Sequence, residues 1–118
     1  MSLLRRRGMM AESKAQDDNL FDKRKITSSS YLKNGGVTDW ADGGCVSDFM
    51  NYIVGEQYYI KSNIRWRYVW YNSNKEFVGE RNYDGEIDGI LTAPANARYI
   101  RIAIYNDAID STIFRKVR

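Results

Sequence analysis

A strict alternation of aliphatic side chains with aromatic, basic or small ones runs through RYIRIAIY, residues 98–105. Successive side chains of a β-strand point to opposite faces, so Ile100, Ile102 and Ile104 share one face. We expect that face to be core. The segment therefore predicts an inner strand of an all-β domain.

The rest of the chain shows the sequence pattern of short strands separated by turns. Gly, Asn, Asp and Ser cluster at 34–36, 42–44, 72–74 and 84–85, and Pro94 breaks the chain before the inner strand. Turn-forming residues at such short intervals are typical of antiparallel sandwiches. The sequence predicts an all-β, antiparallel β-sandwich of jelly-roll type with strands near 28–32, 46–53, 57–62, 65–71, 76–79, 87–92, 98–105 and 112–117.

The residues before position 19 differ from this domain. Residues 1–18 are basic, polar and only weakly apolar, and their mild helical propensity is compatible with a short helix. We interpret 1–18 as an N-terminal arm or linker and 19–118 as one β-sandwich domain. Leu3 and Leu4 run straight into three arginines, which predicts no signal peptide. No apolar run approaches the roughly 18 residues of a membrane span, so no membrane insertion is expected.

Composition limits the chemistry. The 118 residues include one Cys and no His. Without His, the Ser-His-Asp and Cys-His nucleophilic systems and His-liganded zinc are excluded. A lone Cys45 forms no disulfide within the chain and no cysteine metal cluster. We therefore predict that the protein is not an enzyme.

The excess of basic over acidic residues lies at the two ends of the chain. The net charge of +3, taken for the whole chain, would suggest nucleic acid as a partner. However, residues 1–14 and 111–118 each carry +3, whereas residues 15–110 carry 11 basic and 14 acidic side chains, a net of −3. Single-stranded nucleic acid requires a basic groove. Nucleic acid is therefore not an expected partner.

Aromatic residues are the main functional signal. They make up 14% of the chain, with nine Tyr and three Trp, and planar rings stack on the apolar faces of sugars. Parity places Trp66, Tyr68 and Trp70 on one face of a strand, either as a core stripe or as a binding platform. The candidate carbohydrate-binding residues are Trp40, Trp66, Tyr68 and Trp70 for stacking, with Asp39 and Arg101 as polar contacts. For Trp40, in a Gly-rich loop, core capping and ligand contact are both open.

Alternating carboxylates at Asp84, Glu86 and Asp88 resemble the start of a calcium loop. An EF-hand loop needs a bidentate Glu at its twelfth position, which is Ala95 here. We interpret these carboxylates as a solvated strand face. No cofactor is expected, and structural calcium stays open as an alternative that the pattern does not indicate.

Several segments occur in an order that resembles a known family: Asn19–Asp22, Val46–Met50, Glu56–Tyr59, Tyr68–Gly79 and Thr92–Ile102. Over residues 19–118 the chain is similar to the carbohydrate-binding-module-like, galactose-binding-like β-sandwich domains of bacteriophage and prophage tail, baseplate and receptor-binding proteins. The strongest parts are the turn around Ser73-Asn74-Lys75 and the segment 92–102. Both segments indicate the fold more than the ligand.

The resemblance implies a function by analogy. It implies a non-catalytic, tail-associated module of a virion, made in the host cytoplasm, that binds bacterial surface polysaccharide. Other tail or baseplate proteins and further copies of the chain are the implied partners, so a homo-oligomer is expected. The alternative is a purely structural virion or tail assembly domain that oligomerises without a sugar ligand.

Overall fold

Strand β4 is twice as long as most of the others and organises the sheet. The computed structural model describes residues 19–117, and the arm prediction for residues 1–18 lies outside them. The elements are β1 Ile26–Leu32, β2 Thr38–Ser47, β3 Met50–Asn51, β4 Tyr58–Tyr71, β5 Phe77–Asn82, β6 Gly85–Leu91, β7 Tyr99–Tyr105, a 3-10 helix Asn106–Ala108 and β8 Ile113–Lys116.

All strand pairs are antiparallel, and β4 has two partners along each of its halves. Its first half pairs with β6 on one edge and with β8 on the other. Its second half pairs with β5 on the first edge and with β7 on the second. β7 continues the sheet through β2 to β1, and the short β3 also pairs with β7. One long strand thus belongs to both halves of the fold.

A bulge in the middle of β4 bends it. Ile64 lies opposite Ile104 of β7 and Tyr68 lies opposite Ile102, so three residues of β4 face one residue of β7. Within the bulge, Trp66 has φ 76°, a left-handed conformation that is uncommon for a bulky residue. Bulges bend a strand and increase its twist. The two halves of β4 can therefore cover the same core.

The main core is filled from both halves of the bent sheet. Tyr58 stacks between Tyr52 and Phe114, with ring centroids 4.2 and 5.2 Å away, and Trp70 contacts the Tyr52 ring edge-on at 4.9 Å. The isoleucines of β7 at 100, 102 and 104 are fully buried there, as predicted. The prediction of an all-β, antiparallel, sandwich-like fold is confirmed.

A second, smaller core lies on the outer face of the sheet, between β4, β7 and the β1–β2 hairpin. Leu32 of β1 packs there with Val69, Tyr71 and Ala103. The Tyr71 hydroxyl donates a hydrogen bond of 2.6 Å to the Gly36 carbonyl in the hairpin turn. Gly36 has φ +82°, and a Cβ there would lie 2.9 Å from the Tyr71 hydroxyl and Val69. The hairpin therefore covers the outer face of β4 and β7.

Three sequence-based predictions about strands and turns were wrong. The predicted strand 46–53 is divided, because β2 ends at Ser47 and the short β3 covers only Met50–Asn51. The predicted strands 57–62 and 65–71 are a single strand, because the bulge bends β4 without ending it. The predicted turn at 42–44 lies within β2, where residues 41–44 oppose Ser29 alone as an extended bulge. Gly43 there has φ 88°. Trp40 accordingly belongs to a strand and not to a Gly-rich loop.

Candidate functional site

An exposed aromatic surface surrounds Trp66 at the β4 bulge. The indole is 41% exposed. The Tyr31 ring of β1 meets it edge to face, with centroids 4.9 Å apart and an interplanar angle of 81°. The Arg65 guanidinium lies 4.5 Å from the centroid of the same indole, within cation–π range. The bulge thus presents an indole to solvent and holds it between two neighbours.

Arg65 connects this indole to the next strand pair. Its guanidinium lies 5.7 Å from the Tyr105 ring centroid and donates to the Asp42 carbonyl of β2. The side chain crosses β2 over Gly44, where a Cβ would lie 2.7 Å from its Nη1 atom. The glycines that suggested a turn from sequence instead make room for an arginine.

Tyr105 carries the surface to the acidic β5–β6 connection. Its hydroxyl donates a 2.6 Å hydrogen bond to Asp84 Oδ1, and this bond raises the pKa of Tyr105 above its ordinary value. A continuous ribbon therefore runs from Tyr31 through Trp66, Arg65 and Tyr105 to Asp84. We call these five residues the Trp66 ribbon.

Trp40 lies on β2, one residue after Asp39, which pairs with Tyr31 of the ribbon. It is 72% exposed, more than any other large hydrophobic side chain of residues 19–117. It pairs with Ser30, and because successive side chains of a strand alternate between faces, Trp40 points to the face of the hairpin opposite that of Tyr31. Asp39 accepts a 2.7 Å hydrogen bond from the Trp40 amide and lies 3.7 Å from Lys33 Nζ. Of the two sequence-based alternatives for Trp40, core capping is therefore wrong.

Two of the predicted platform residues are core. Tyr68 and Trp70 are 5% and 3% exposed and contact each other edge-on at 5.9 Å inside the main core. Burial raises the pKa of the Tyr68 phenol. The bulge turns Trp66 outward while residues 68 and 70 stay inward. The prediction that Trp66, Tyr68 and Trp70 share one face is wrong, and neither buried ring can stack on a ligand.

Arg101 belongs to a different cluster. Its guanidinium lies 4.7 Å from the Phe49 ring, and its Nε donates a 2.8 Å hydrogen bond to the Ser47 carbonyl. Lys75 Nζ lies 5.1 Å from the same ring. Along β7, Arg101 and Tyr105 are four residues apart, about 13 Å of strand. The structure does not join Arg101 to the Trp66 ribbon.

The acidic residues of β6 behave mostly as a solvated strand face. Glu86 and Asp88 are exposed, and Asp88 accepts a 2.8 Å hydrogen bond from the Tyr59 hydroxyl. Within residues 19–117, no group of three or more acidic or cysteine side chains has the geometry to hold a metal ion. In that same range, no helix is long and apolar enough to cross a membrane.

Sequence reasoning missed the partners that complete the ribbon. Tyr31, Tyr105 and Asp84 come from three separate parts of the chain, and no spacing links them. Parity did place Tyr105 on the face opposite the core isoleucines. The adjacent pair Arg65-Trp66 was the local signal available, because an arginine beside an exposed indole readily forms a cation–π pair.

Comparison with protein-family models, with curated proteins and with solved structures gave no match.

Proposed function

We propose that the protein is a non-catalytic module that binds carbohydrate of a bacterial cell surface through the exposed indoles of Trp40 and Trp66. The observation that carries the proposal is the 72% exposure of the Trp40 ring in a regular strand. An indole held in water by rigid backbone is costly, since burying such a ring stabilises a fold by several kcal/mol at about 25 cal/mol/Å². Stacking on a pyranose recovers part of that energy.

Polar groups near the two indoles suit a hydroxylated ligand. The Arg65 guanidinium supplies donors, whereas the carboxylates of Asp39 and Asp84 and the oxygen of the Tyr105 hydroxyl, whose hydrogen is donated to Asp84, accept hydrogen bonds. Sugar recognition needs such donors and acceptors around an apolar ring. The ribbon crosses three strands as an open surface, which suits several units of a polysaccharide better than one small molecule.

The biological setting we propose follows the family resemblance of residues 19–118. The protein would act in a virion as a tail or baseplate component and contact host polysaccharide. Single-site affinity on an open surface is weak, and display of many copies raises it by orders of magnitude, on the order of 10²–10⁴. We therefore propose a homo-oligomer that is joined to other tail proteins.

A titration against bacterial cell-wall and capsular polysaccharides tests the binding site. Trp40→Ala and Trp66→Ala should each weaken binding roughly tenfold, because covering about 60 Å² of an indole contributes about 1.5 kcal/mol at about 25 cal/mol/Å². The matched control is Ile53→Ala, another exposed large apolar side chain, which lies in the β3–β4 connection outside the ribbon. If both tryptophan variants bind as the parent protein does, the proposed site is wrong.

The free edge formed by β5 and β6 favours assembly as a second function. Within residues 19–117 both strands pair with β4 alone, and Phe77 and Ile90 on them are 45% and 51% exposed. Exposed strand edges pair with further chains. Sedimentation of Phe77→Lys and Ile90→Lys tests this function. A smaller assembly that keeps the single-site affinity for sugar would support assembly and recognition by separate surfaces.

A further inference from the structure

A cavity of about 300 Å³ opens at the edge of the main core, beside β5. Tyr68 and Trp70 of β4 line it together with Ala93 and Pro94, which belong to the connection between β6 and β7. Ligand pockets have volumes of about 300–1,000 Å³. This cavity, which we call the Trp70 cavity, therefore has room for one small molecule.

Two buried side chains bring polar atoms to the Trp70 cavity. Tyr68 and Trp70 are only 5% and 3% exposed. Within residues 19–117, neither the Tyr68 hydroxyl nor the Trp70 indole N–H forms a hydrogen bond, yet no side-chain N or O atom there is both fully enclosed and without a partner. Both atoms therefore reach solvent, and they do so in the cavity that both side chains line. Since buried tyrosine and tryptophan usually have a hydrogen-bond partner, two free donors at one cavity indicate a place for the acceptors of a ligand.

A cation lies across the β4–β5 ladder from Tyr68. Arg81 of β5 lines the Trp70 cavity and is paired with Tyr68, so the two side chains leave the sheet on the same face. Burial raises the pKa of the Tyr68 phenol, and the positive charge of Arg81 lowers it in part. The phenol therefore keeps its proton at neutral pH and can donate it. Arg81 takes part in no ion pair within residues 19–117.

The acidic residue of the cavity lining, Glu80, is engaged on the other face of β5. It lies between Gly79 and Arg81 in the strand, so its side chain points away from that of Arg81. Its Oε1 accepts a 3.1 Å hydrogen bond from the Gly35 amide, and its Oε2 lies 3.9 Å from Arg67 Nε. Glu80 therefore does not neutralise Arg81, and the cavity presents one cation and two neutral donors.

Gly79 keeps the cavity open. It is paired with Trp70 across the ladder, where a larger residue would place its side chain beside the indole. A Cβ at this position would lie 3.3 Å from Pro94 Cγ, closer than ordinary van der Waals contact. The absence of a side chain therefore leaves the space between β5 and the β6–β7 connection free.

The three donor groups match a carboxylate. A guanidinium binds both carboxylate oxygens through parallel hydrogen bonds, and these oxygens have further lone pairs for an N–H and an O–H. One cation balances one negative charge, whereas a phosphate monoester carries about −1.5 to −2. We propose that the Trp70 cavity binds a small organic carboxylate, with Arg81 as its cation and Trp70 and Tyr68 as further donors. An acidic sugar unit of a polysaccharide and a free carboxylic acid share this chemistry, and the site is separate from the indoles of Trp40 and Trp66.

NMR titration of the isotope-labelled, full-length protein tests this proposal. The readout is the indole N–H signal of Trp70, because that proton would be donated to the ligand. D-Glucuronate and acetate represent the acidic sugar and the free acid, and at least one of them should shift the signal saturably; the acid that binds more tightly identifies the source. D-Glucose, which has a hydroxymethyl group in place of the carboxylate, and inorganic phosphate should not shift it. No shift with either acid, or an equal shift with glucose or phosphate, would overturn the proposal.

Variants show whether the shift depends on the cavity. Arg81→Gln should weaken binding of the acid roughly tenfold or more, because a hydrogen bond between charged groups is lost. Arg24→Gln removes an exposed arginine outside the cavity and is the matched control, which should bind as the parent protein does. Gly79→Ala should also weaken binding, because its Cβ narrows the cavity. Unchanged affinity in Arg81→Gln would overturn the proposal. Polysaccharide titration of the Trp40 and Trp66 variants has a different readout, so the two proposals can fail separately.

Discussion

Gly44 sets the position of Arg65, and therefore of one side of the Trp66 ribbon. An added Cβ at this position would lie 2.7 Å from Arg65 Nη1 and 2.9 Å from the Ile104 carbonyl oxygen. The arginine can move, but the backbone oxygen of an inner strand cannot do so without disturbing the sheet. The sequence alone predicts a turn at this glycine, whereas in the structure its lack of a side chain makes room for Arg65.

Gly44→Ala should lower the free energy of unfolding by about 1–3 kcal/mol, the usual cost of overpacking. It should also weaken carbohydrate binding, because Arg65 would leave the Trp66 ring. Urea denaturation and polysaccharide titration measure the two effects. The control is Gly89→Ala on β6, where a Cβ meets nothing within 4 Å. Equal stability of the two variants would contradict this account of Gly44.

Cys45 gives the fold a dependence on alkaline pH. Burial raises the pKa of its thiol from 9.0 to about 11, so the folded protein favours the neutral thiol. This contribution to stability is complete below pH 9 and is lost as the pH rises toward 11. The full shift of about two units corresponds to about 2–3 kcal/mol.

Urea unfolding measured from neutral pH to about pH 10 should show stability falling above pH 9. The variant Cys45→Ala should be less stable at neutral pH, but its free energy of unfolding should fall much less between pH 9 and pH 10. Above that range buried tyrosines add to the decline, because burial also raises the pKa of Tyr68 and Tyr71. An identical pH profile in the variant would assign the decline to the tyrosines alone.

At the level of elements, the β1–β2 hairpin depends on its contacts with the outer face of β4 and β7. Tyr71 provides the polar contact, through its bond of 2.6 Å to the Gly36 carbonyl. Leu32 and Val69 provide the apolar contact in the second core. The same hairpin carries Trp40 and Tyr31, so its attachment also sets the position of the candidate binding surface.

Tyr71→Phe should lower the free energy of unfolding by about 1–3 kcal/mol, because the Gly36 carbonyl loses a buried donor. Hydrogen exchange should speed up for the amides of residues 33–37 and remain unchanged in β7. Tyr59→Phe is the control, since its hydroxyl bonds Asp88 at the surface, where a lost bond costs little. Unchanged exchange in the turn would show that apolar packing alone holds the hairpin.

At the scale of the whole molecule, the two ends of the described domain are joined. Asn19 and Leu20 bond residues of β8 and its approach, and Phe21 packs in the main core. β8 in turn pairs with the first half of β4, the strand common to both halves of the sheet. The fold is therefore closed by contacts between the first described residues and the last strand.

Truncation should show where the stable domain begins. A chain that starts at Asn19 should keep its free energy of unfolding to within about 1 kcal/mol, because it retains Phe21 in the main core and the hydrogen bonds of Asn19 to β8 and its approach. A chain that starts at Asp22 should lose about 3–5 kcal/mol with the Phe21 side chain, plus the bonds of Asn19. Thermal and urea unfolding measure both. Equal stability of the two truncated chains would place the boundary later than residue 19.

The sequence by itself determined the all-β class, the buried isoleucine face of residues 98–105 and most of the turns. These features depend on the two-residue period of strands and on local backbone preferences, which neighbouring residues decide. Only the tertiary structure decided that Trp66 faces solvent while Tyr68 and Trp70 are core, and that Gly43 and Gly44 form a bulge. Bulges arise from the register between distant strands, and the Trp66 ribbon gathers residues from β1, β4, β7 and the β5–β6 connection. Side-chain parity predicts a face correctly only while the strand pairing continues without a bulge.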